Sequence, residues 1–181
     1  MRLIKRTFQE LLEEGLDVVL PEVGVMIEIP SMIYQIKHLA SRVAFISVGT
    51  NDLSQYLLAI DRNNPRVAGI YSTLHPGVLQ ALKQIADDVK GENLKVSVCG
   101  EMAGNPGSAV LLMAMGYDVL SMNATSLLRV KSVIRNFTYQ QAEELLNKVL
   151  AEEDTEAVKA LVDLELYNAG VDRLLRTSRN S

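Results

Sequence analysis

Apolar positions along this chain switch between two spacings. Over residues 2–14, Leu3, Ile4, Phe8, Leu11 and Leu12 fall on one side of a helix, and Gly15 ends it. Val23 to Ile29 is a compact apolar run of strand length. Pro30-Ser31 opens a helix to about Ala40, with Ile33, Ile36, Leu39 and Ala40 as its stripe. A second apolar run, Val43 to Val48, precedes a short helix from Leu53 to about Ile60, and Asp61 to Pro65 reads as a loop. Pro76 starts a long helix to about Lys90. The turn Gly91-Glu92-Asn93 leads into a third strand, Lys95 to Cys99. A helix from about Pro106 to Met115 is capped by Gly116, and Val119 to Met122 is a fourth strand. A helix from about Ser126 to Asn136 follows it. After Phe137 no strand signal appears. Tyr139 to Leu150 and Asp154 to Tyr167 read as two amphipathic helices, with Asp154-Thr155-Glu156 starting the second.

Strand and helix therefore alternate four times, which predicts an α/β fold with a parallel sheet. The strands are nearly all apolar, as expected where both faces are covered. Four βα units make half of an eightfold barrel, which needs about 250 residues. The expectation is either a small open sheet or the second half of a barrel. The chain opens in a helix that would ordinarily follow a strand, which favours the half barrel as part of a longer protein. Residues 1–137 form the partial barrel and 138–181 a helical extension of the same domain.

Composition narrows the function classes. The 181 residues are enough for one sizeable core, 48% are apolar, and the formal charge of −4 gives no reason to expect nucleic acid or a membrane as partner. One cysteine cannot form an internal disulfide, so a reducing, cytoplasmic setting is expected. The N-terminal residues contain neither a signal peptide nor a membrane span.

Three strand ends carry chemistry. The first run closes on Glu28, the second on Gly49-Thr50-Asn51-Asp52, and the third on Cys99-Gly100-Glu101. In a parallel sheet these lie on the carboxyl-end rim, where barrel enzymes keep their reacting groups. Glu28 and Asp52 suit Mg²⁺, which is held by one or two carboxylates and completed by water and substrate oxygens. The alternative is that each caps the helix that follows it. Arg62 lies one short helix beyond Asn51, so the chain can fold its guanidinium fork back over the rim to meet a phosphate or carboxylate. The alternative is a solvated surface arginine, the reading given to Arg66. Cys99 is either a small core residue or, with Gly100 leaving one side open to a ligand, a protonated thiol acting as general acid. His38 falls on a polar helix side and His75 in a turn before Pro76. Thr125-Ser126 reads as a helix cap first and a rim hydrogen-bonder second. The methionines read as core.

Taken together, Gly24-Val25-Met26-Ile27-Glu28-Ile29-Pro30, Ser47 to Tyr56, Asp61-Arg62, Cys99-Gly100-Glu101-Met102-Ala103-Gly104 and Ser121 to Ser126 resemble the phosphoenolpyruvate-utilising enzymes. The order and content are most similar to enzyme I, the phosphoenolpyruvate–protein phosphotransferases, over roughly residues 20–137. Tyr71-Ser72-Thr73-Leu74-His75-Pro76 resembles the nitrogen-related branch. The resemblance implies the C-terminal half of a TIM (β/α)8 barrel and transfer of the phosphoryl group of phosphoenolpyruvate to an enzyme histidine. It implies that Glu28 and Asp52 hold Mg²⁺, that Asn51 and Arg62 hold the phosphate, and that Cys99 protonates the enolate to give pyruvate. A histidine phosphocarrier protein would dock on an N-terminal domain outside this chain. The family's further substrate-binding arginines lie on earlier strands, so this polypeptide by itself is expected to be inactive. A half barrel exposes its first and fourth strands and an apolar interior, so a homodimer is expected. Two other readings stand beside this one. They are a relative of pyruvate phosphate dikinase or phosphoenolpyruvate synthase, and a non-catalytic dimerisation module.

Overall fold

A computed structural model describes residues 1–171. Four strands are present, β1 (Val25–Ile27), β2 (Phe45–Gly49), β3 (Lys95–Cys99) and β4 (Val119–Ser121). They form one sheet in the order β1-β2-β3-β4, every pair parallel. Eight α-helices accompany them: α1 (Arg2–Glu13), α2 (Ile36–Ala40), α3 (Thr50–Leu58), α4 (Pro76–Gly91), α5 (Pro106–Met115), α6 (Ala124–Ile134), α7 (Tyr139–Leu150) and α8 (Thr155–Asn168). Spatial order follows chain order with no reversal. Crossovers between parallel strands share one hand, so a sheet wound in one direction carries its connecting helices on one face. A doubly wound sheet reverses its strand order and covers both. The topology is that of a barrel segment.

Burial alternates along the strands. Ile27, Ile46, Val48, Val96 and Val98 are fully buried against the helices, while Met26, Phe45 and Val119 on the opposite face are exposed. The expectation of strands covered on both faces is therefore corrected. The open face is not an apolar interior either. Ser47 on β2 pairs in register with Ser97 on β3, and Cys99 pairs with Ser121 on β4. β1 and β4 are the two edges, as the half-barrel reading requires.

The helical layer is thick behind β3 and β4. α5 is apolar all round and nearly every residue from Gly107 to Met115 is buried, because α6, α7 and α8 all pack on it. Ala142, Leu145, Leu146 and Val149 of α7 and Val158, Val162 and Leu166 of α8 join the same core as the sheet. Asp154 caps α8 as expected, its side chain accepting from the Ala157 N–H. α1 forms over the expected residues but buries none of them.

Two local expectations differ. Pro30–Gln35 is a 3₁₀ segment, and only Ile36–Ala40 is α-helical. α3 begins at Thr50, a turn of chain earlier than the apolar spacing indicates, with Gly49 as its N-cap. It ends at Ala59, whose backbone is left-handed at φ 53.

Candidate active site

The carboxyl ends of β1, β2 and β3 meet through two glycines. A β-carbon on Gly49 would lie 2.7 Å from both Cγ and Oε1 of Glu28, so the glutamate side chain occupies the space above Gly49. Gly100 has φ +120, a backbone that side chains rarely adopt. A β-carbon there would stand 2.6 Å from Thr50 Oγ1 and 3.2 Å from Asn51 Oδ1. The missing side chain of Gly100 thus makes room for the protein's own Thr50 and Asn51. Thr50, fully buried, donates its hydroxyl to the Cys99 carbonyl at 3.0 Å and ties α3 to the end of β3.

Cys99 is half-buried on the open face of the sheet. Its Sγ lies 3.6 Å from the Val48 carbonyl and 4.0 Å from Met26 Sδ on β1, two strands away. The thiol therefore leans across the mouth toward the strand that ends in Glu28. It is not packed away as a core hydrophobe.

Asn51 and Asp52 lie in the first turn of α3. A carboxylate there is favoured by the positive helix end. Neither carboxylate serves as a helix cap. Gly49 is the N-cap of α3, and Ile29 that of the 3₁₀ segment, with no side-chain cap bond at either. The capping alternative for Glu28 and Asp52 is set aside on that ground.

The chain folds back after α3 as expected. Arg62 Nη2 reaches Asp52 Oδ1 at 3.3 Å, and the Arg62 backbone N–H donates to Gln55 Oε1 at 3.3 Å. The other terminal nitrogen, Nη1, is buried and has no hydrogen-bond partner among the described residues. A buried guanidinium N–H with no acceptor is a donor awaiting one. Tyr71 donates its hydroxyl to the Asn51 carbonyl at 3.2 Å and braces the same turn.

The structure thus gathers Glu28, Asn51 and Cys99 around Gly49 and Gly100, and joins Arg62 to Asp52 beside them. Among the described residues, no three histidine, cysteine or acidic side chains come together as a metal cage. Glu28 and Asp52 are two carboxylates at this rim, hard oxygen donors of the kind Mg²⁺ takes from proteins. That set fits Mg²⁺, which keeps open positions for water and substrate oxygens. It does not fit a closed N/S site.

Sequence reasoning missed Met26, Thr50, Gln55 and Tyr71, each of which positions a site residue. All four fell within quoted segments, but none of them was given a role there. Of the residues weighed and set aside, His75 is the N-cap of α4, its Nδ1 accepting from the Gly77 N–H at 3.1 Å, and His38 is exposed on α2. Arg66 is an exposed loop residue. The cap of α6 is Asn123, not Thr125-Ser126: its Oδ1 accepts from the Ser126 N–H at 2.9 Å. Among the described residues no helix is long and apolar enough to cross a membrane.

Comparison with known proteins identifies the family. The family model described as the phosphoenolpyruvate (PEP)-binding domain of PEP-utilising enzymes matches residues 1–139. A protein of Escherichia coli K12 named "Phosphoenolpyruvate-dependent phosphotransferase system" is 44% identical over 176 residues, 97% of this chain and 24% of its own length. Proteins named "Phosphoenolpyruvate-protein phosphotransferase" match from Borreliella burgdorferi, 43% identical over 71% of this chain and 22% of their own, and from Haemophilus influenzae, 41% over 78% and 25%. The chain spans about a quarter of the length of the curated relatives it matches. With the domain matched from its first residue to 139 and the mouth of the sheet built as described, the chain belongs to the PEP-utilising enzymes and carries their PEP-binding domain.

Proposed function

We propose that this chain is the PEP-binding part of a phosphoenolpyruvate–protein phosphotransferase, which passes the phosphoryl group of PEP to a histidine and releases pyruvate into a phosphocarrier relay. The observation that carries this reading is the buried, unpartnered Nη1 of Arg62, beside a carboxylate that fixes the other arm of the same guanidinium. A planar fork with one arm anchored is oriented for a phosphate oxygen.

Each group then has a role. Arg62 Nη1 and the Asn51 side-chain amide take phosphate oxygens and lower the charge on the group being transferred. Glu28 and Asp52 would hold Mg²⁺, which when bound supplies further neutralisation of the phosphoryl oxygens. When the bridging P–O bond breaks and phosphorus bonds to the acceptor nitrogen, the electron pair stays on the three-carbon fragment as an enolate. Cys99 faces the open side of the sheet, and its S–H gives a proton to the methylene carbon, producing pyruvate and a thiolate that water reprotonates. Neither histidine of this chain takes the phosphoryl group in this reading. The acceptor belongs to another part of the longer protein, which also docks the phosphocarrier.

The unpaired edges of β1 and β4 and the open sheet face support a homodimer. The single cysteine supports a cytoplasmic setting.

Calorimetric titration of PEP with and without Mg²⁺, in the wild type and in Arg62→Ala, tests the assignment. Binding that needs Mg²⁺ and weakens at least about ten-fold in the variant is expected, as for loss of a charged hydrogen bond. Absent binding, or binding indifferent to the substitution, overturns it.

A further inference from the structure

α8 lies beyond residue 139, where the match to the PEP-binding domain ends, and the phosphotransfer reading gives it no part. It nevertheless has a route to the site. Gly107, in the first turn of α5, is buried, and a β-carbon on it would overlap Val162 Cγ1 of α8 and stand 3.4 Å from Leu166 Cδ1. Val162 is itself only 3% exposed. Its side chain fills a notch that exists because α5 carries no side chain there.

From that notch a stiff link runs back to the mouth of the sheet. Asn105 is the N-cap of α5, its Oδ1 accepting from the Ser108 N–H at 3.0 Å. Between Gly100 and Asn105 the backbone makes three successive bonds of 3₁₀ spacing. The N–H groups of Ala103, Gly104 and Asn105 donate to the carbonyls of Gly100, Glu101 and Met102 at 3.2, 3.1 and 3.2 Å. Met102 and Ala103 pin this turn in the core. Gly104 lies against Ser126 of α6, since a β-carbon there would stand 3.0 Å from its Oγ. At the far end Gly100 meets Thr50 and Asn51, and Thr50 holds the Cys99 carbonyl. Residues 100–107 are thus a strut with α8 at one end and Cys99 and Asn51 at the other. Close packing along its length leaves no slack to absorb a displacement.

We propose that Val162 is a positioning residue: seated against Gly107, it lets α8 set, through this strut, where the Cys99 thiol and the Asn51 amide stand. The use of that thiol as a proton donor rests on the phosphotransfer reading. Its placement by α8 does not.

Cys99 is the only cysteine of the chain, so its rate of alkylation by iodoacetamide reports its placement. The full chain is alkylated at neutral pH, well below its melting temperature, as wild type, Gly107→Ala, Val162→Ala, the double variant and Val149→Ala. Val149→Ala, in α7, makes the same truncation in the same core and controls for lost stability alone. The methyl of Gly107→Ala pushes against Val162 and tilts the strut, the thiol leaves the Val48 carbonyl, and alkylation quickens at least about three-fold. The double variant places that methyl where Val162 gives up Cγ1, and the rate returns to within about two-fold of the wild type. Val149→Ala lowers the melting temperature and leaves the rate unchanged. A Gly107→Ala rate equal to the wild type's, a double variant no nearer to it, or an equal change in Val149→Ala overturns the proposal. Should Gly107→Ala fail to fold, Val162→Ala is read in its place: the opened notch quickens alkylation, and a wild-type rate overturns the proposal. Failure of PEP to bind at Arg62 leaves these rates untouched, so the two readings fail separately.

Discussion

Arg62 grips Asp52 with one arm of its guanidinium, Nη2 to Oδ1 at 3.3 Å, and holds the other arm buried and unbonded. Both side chains are about one-third to two-fifths exposed, at 33% and 42%, so the pair itself contributes only ~0–1 kcal/mol to folding. Its significance is orientation.

Asp52→Asn is therefore expected to leave the melting temperature within a few degrees of the wild type while weakening Mg²⁺-dependent PEP binding at least about ten-fold. Arg62→Lys should behave similarly, because an ammonium keeps the charge but cannot bond Asp52 and a phosphate in one plane. Thermal melts beside calorimetry separate these effects. A large fall in stability with intact binding would contradict the orienting role.

Gly49→Ala probes Glu28 from the backbone. The added methyl would lie 2.7 Å from the Glu28 side chain, whose flexible end must swing away. Stability should fall by less than ~1 kcal/mol, and Mg²⁺-dependent binding should drop several-fold. Urea unfolding and calorimetry on the same sample give both numbers, and unchanged binding would remove Glu28 from the metal shell.

At Gly100 the cost should appear in folding. Alanine there meets both a φ of +120 and the Thr50 hydroxyl at 2.6 Å, which itself bonds the Cys99 carbonyl. A loss of ~2–4 kcal/mol is expected from the backbone strain plus the displaced hydrogen bond. A urea midpoint equal to that of the wild type would show that this junction is looser than described.

These junctions mark where the sequence stopped being legible. The four strands and most helices could be read because apolar runs and capping residues are local signals. Glu28, Asp52 and Cys99 were legible as candidates because each closes an apolar run. The packing of Gly100 against Thr50 joins positions fifty residues apart, and no local pattern records it. Gly49-Thr50-Asn51-Asp52 reads as a loop by composition, yet the helix starts inside it, because Gly49 caps α3 and Thr50 is anchored to β3. The one-sided burial of the sheet was written in Ser47 and Ser97, but Met26, Phe45 and Val119 on the same face masked the alternation.

Tyr117 gives a prediction in pH. Its phenol is buried and donates to the Leu82 carbonyl at 3.0 Å, and burial pushes its ionisation well above the ordinary value near 10. Below pH ~10 folded and unfolded chains both keep the proton, and the bond contributes in full. Above it the unfolded chain sheds the proton and the folded chain does not, so stability falls by up to ~1.4 kcal/mol per pH unit. Tyr117→Phe should cost ~1–2 kcal/mol at neutral pH. The difference between wild type and variant should stay constant from pH 6 to 9 and narrow above ~10. Urea unfolding across that range checks it, and a difference independent of pH would refute it.

Native mass spectrometry addresses association. A dimer that persists into the low micromolar range is expected for two sheets with free edges, and a monomer at every concentration would rule it out.

The hydroxyls set side by side on β2 and β3 also govern what can settle on the bare side of the sheet. Water wets a stripe of serines readily, so oily adhesion there is left to Met26, Phe45 and Val119. A lasting contact gains most at the main-chain rows along β1 and β4, which recognise the direction and spacing of another strand.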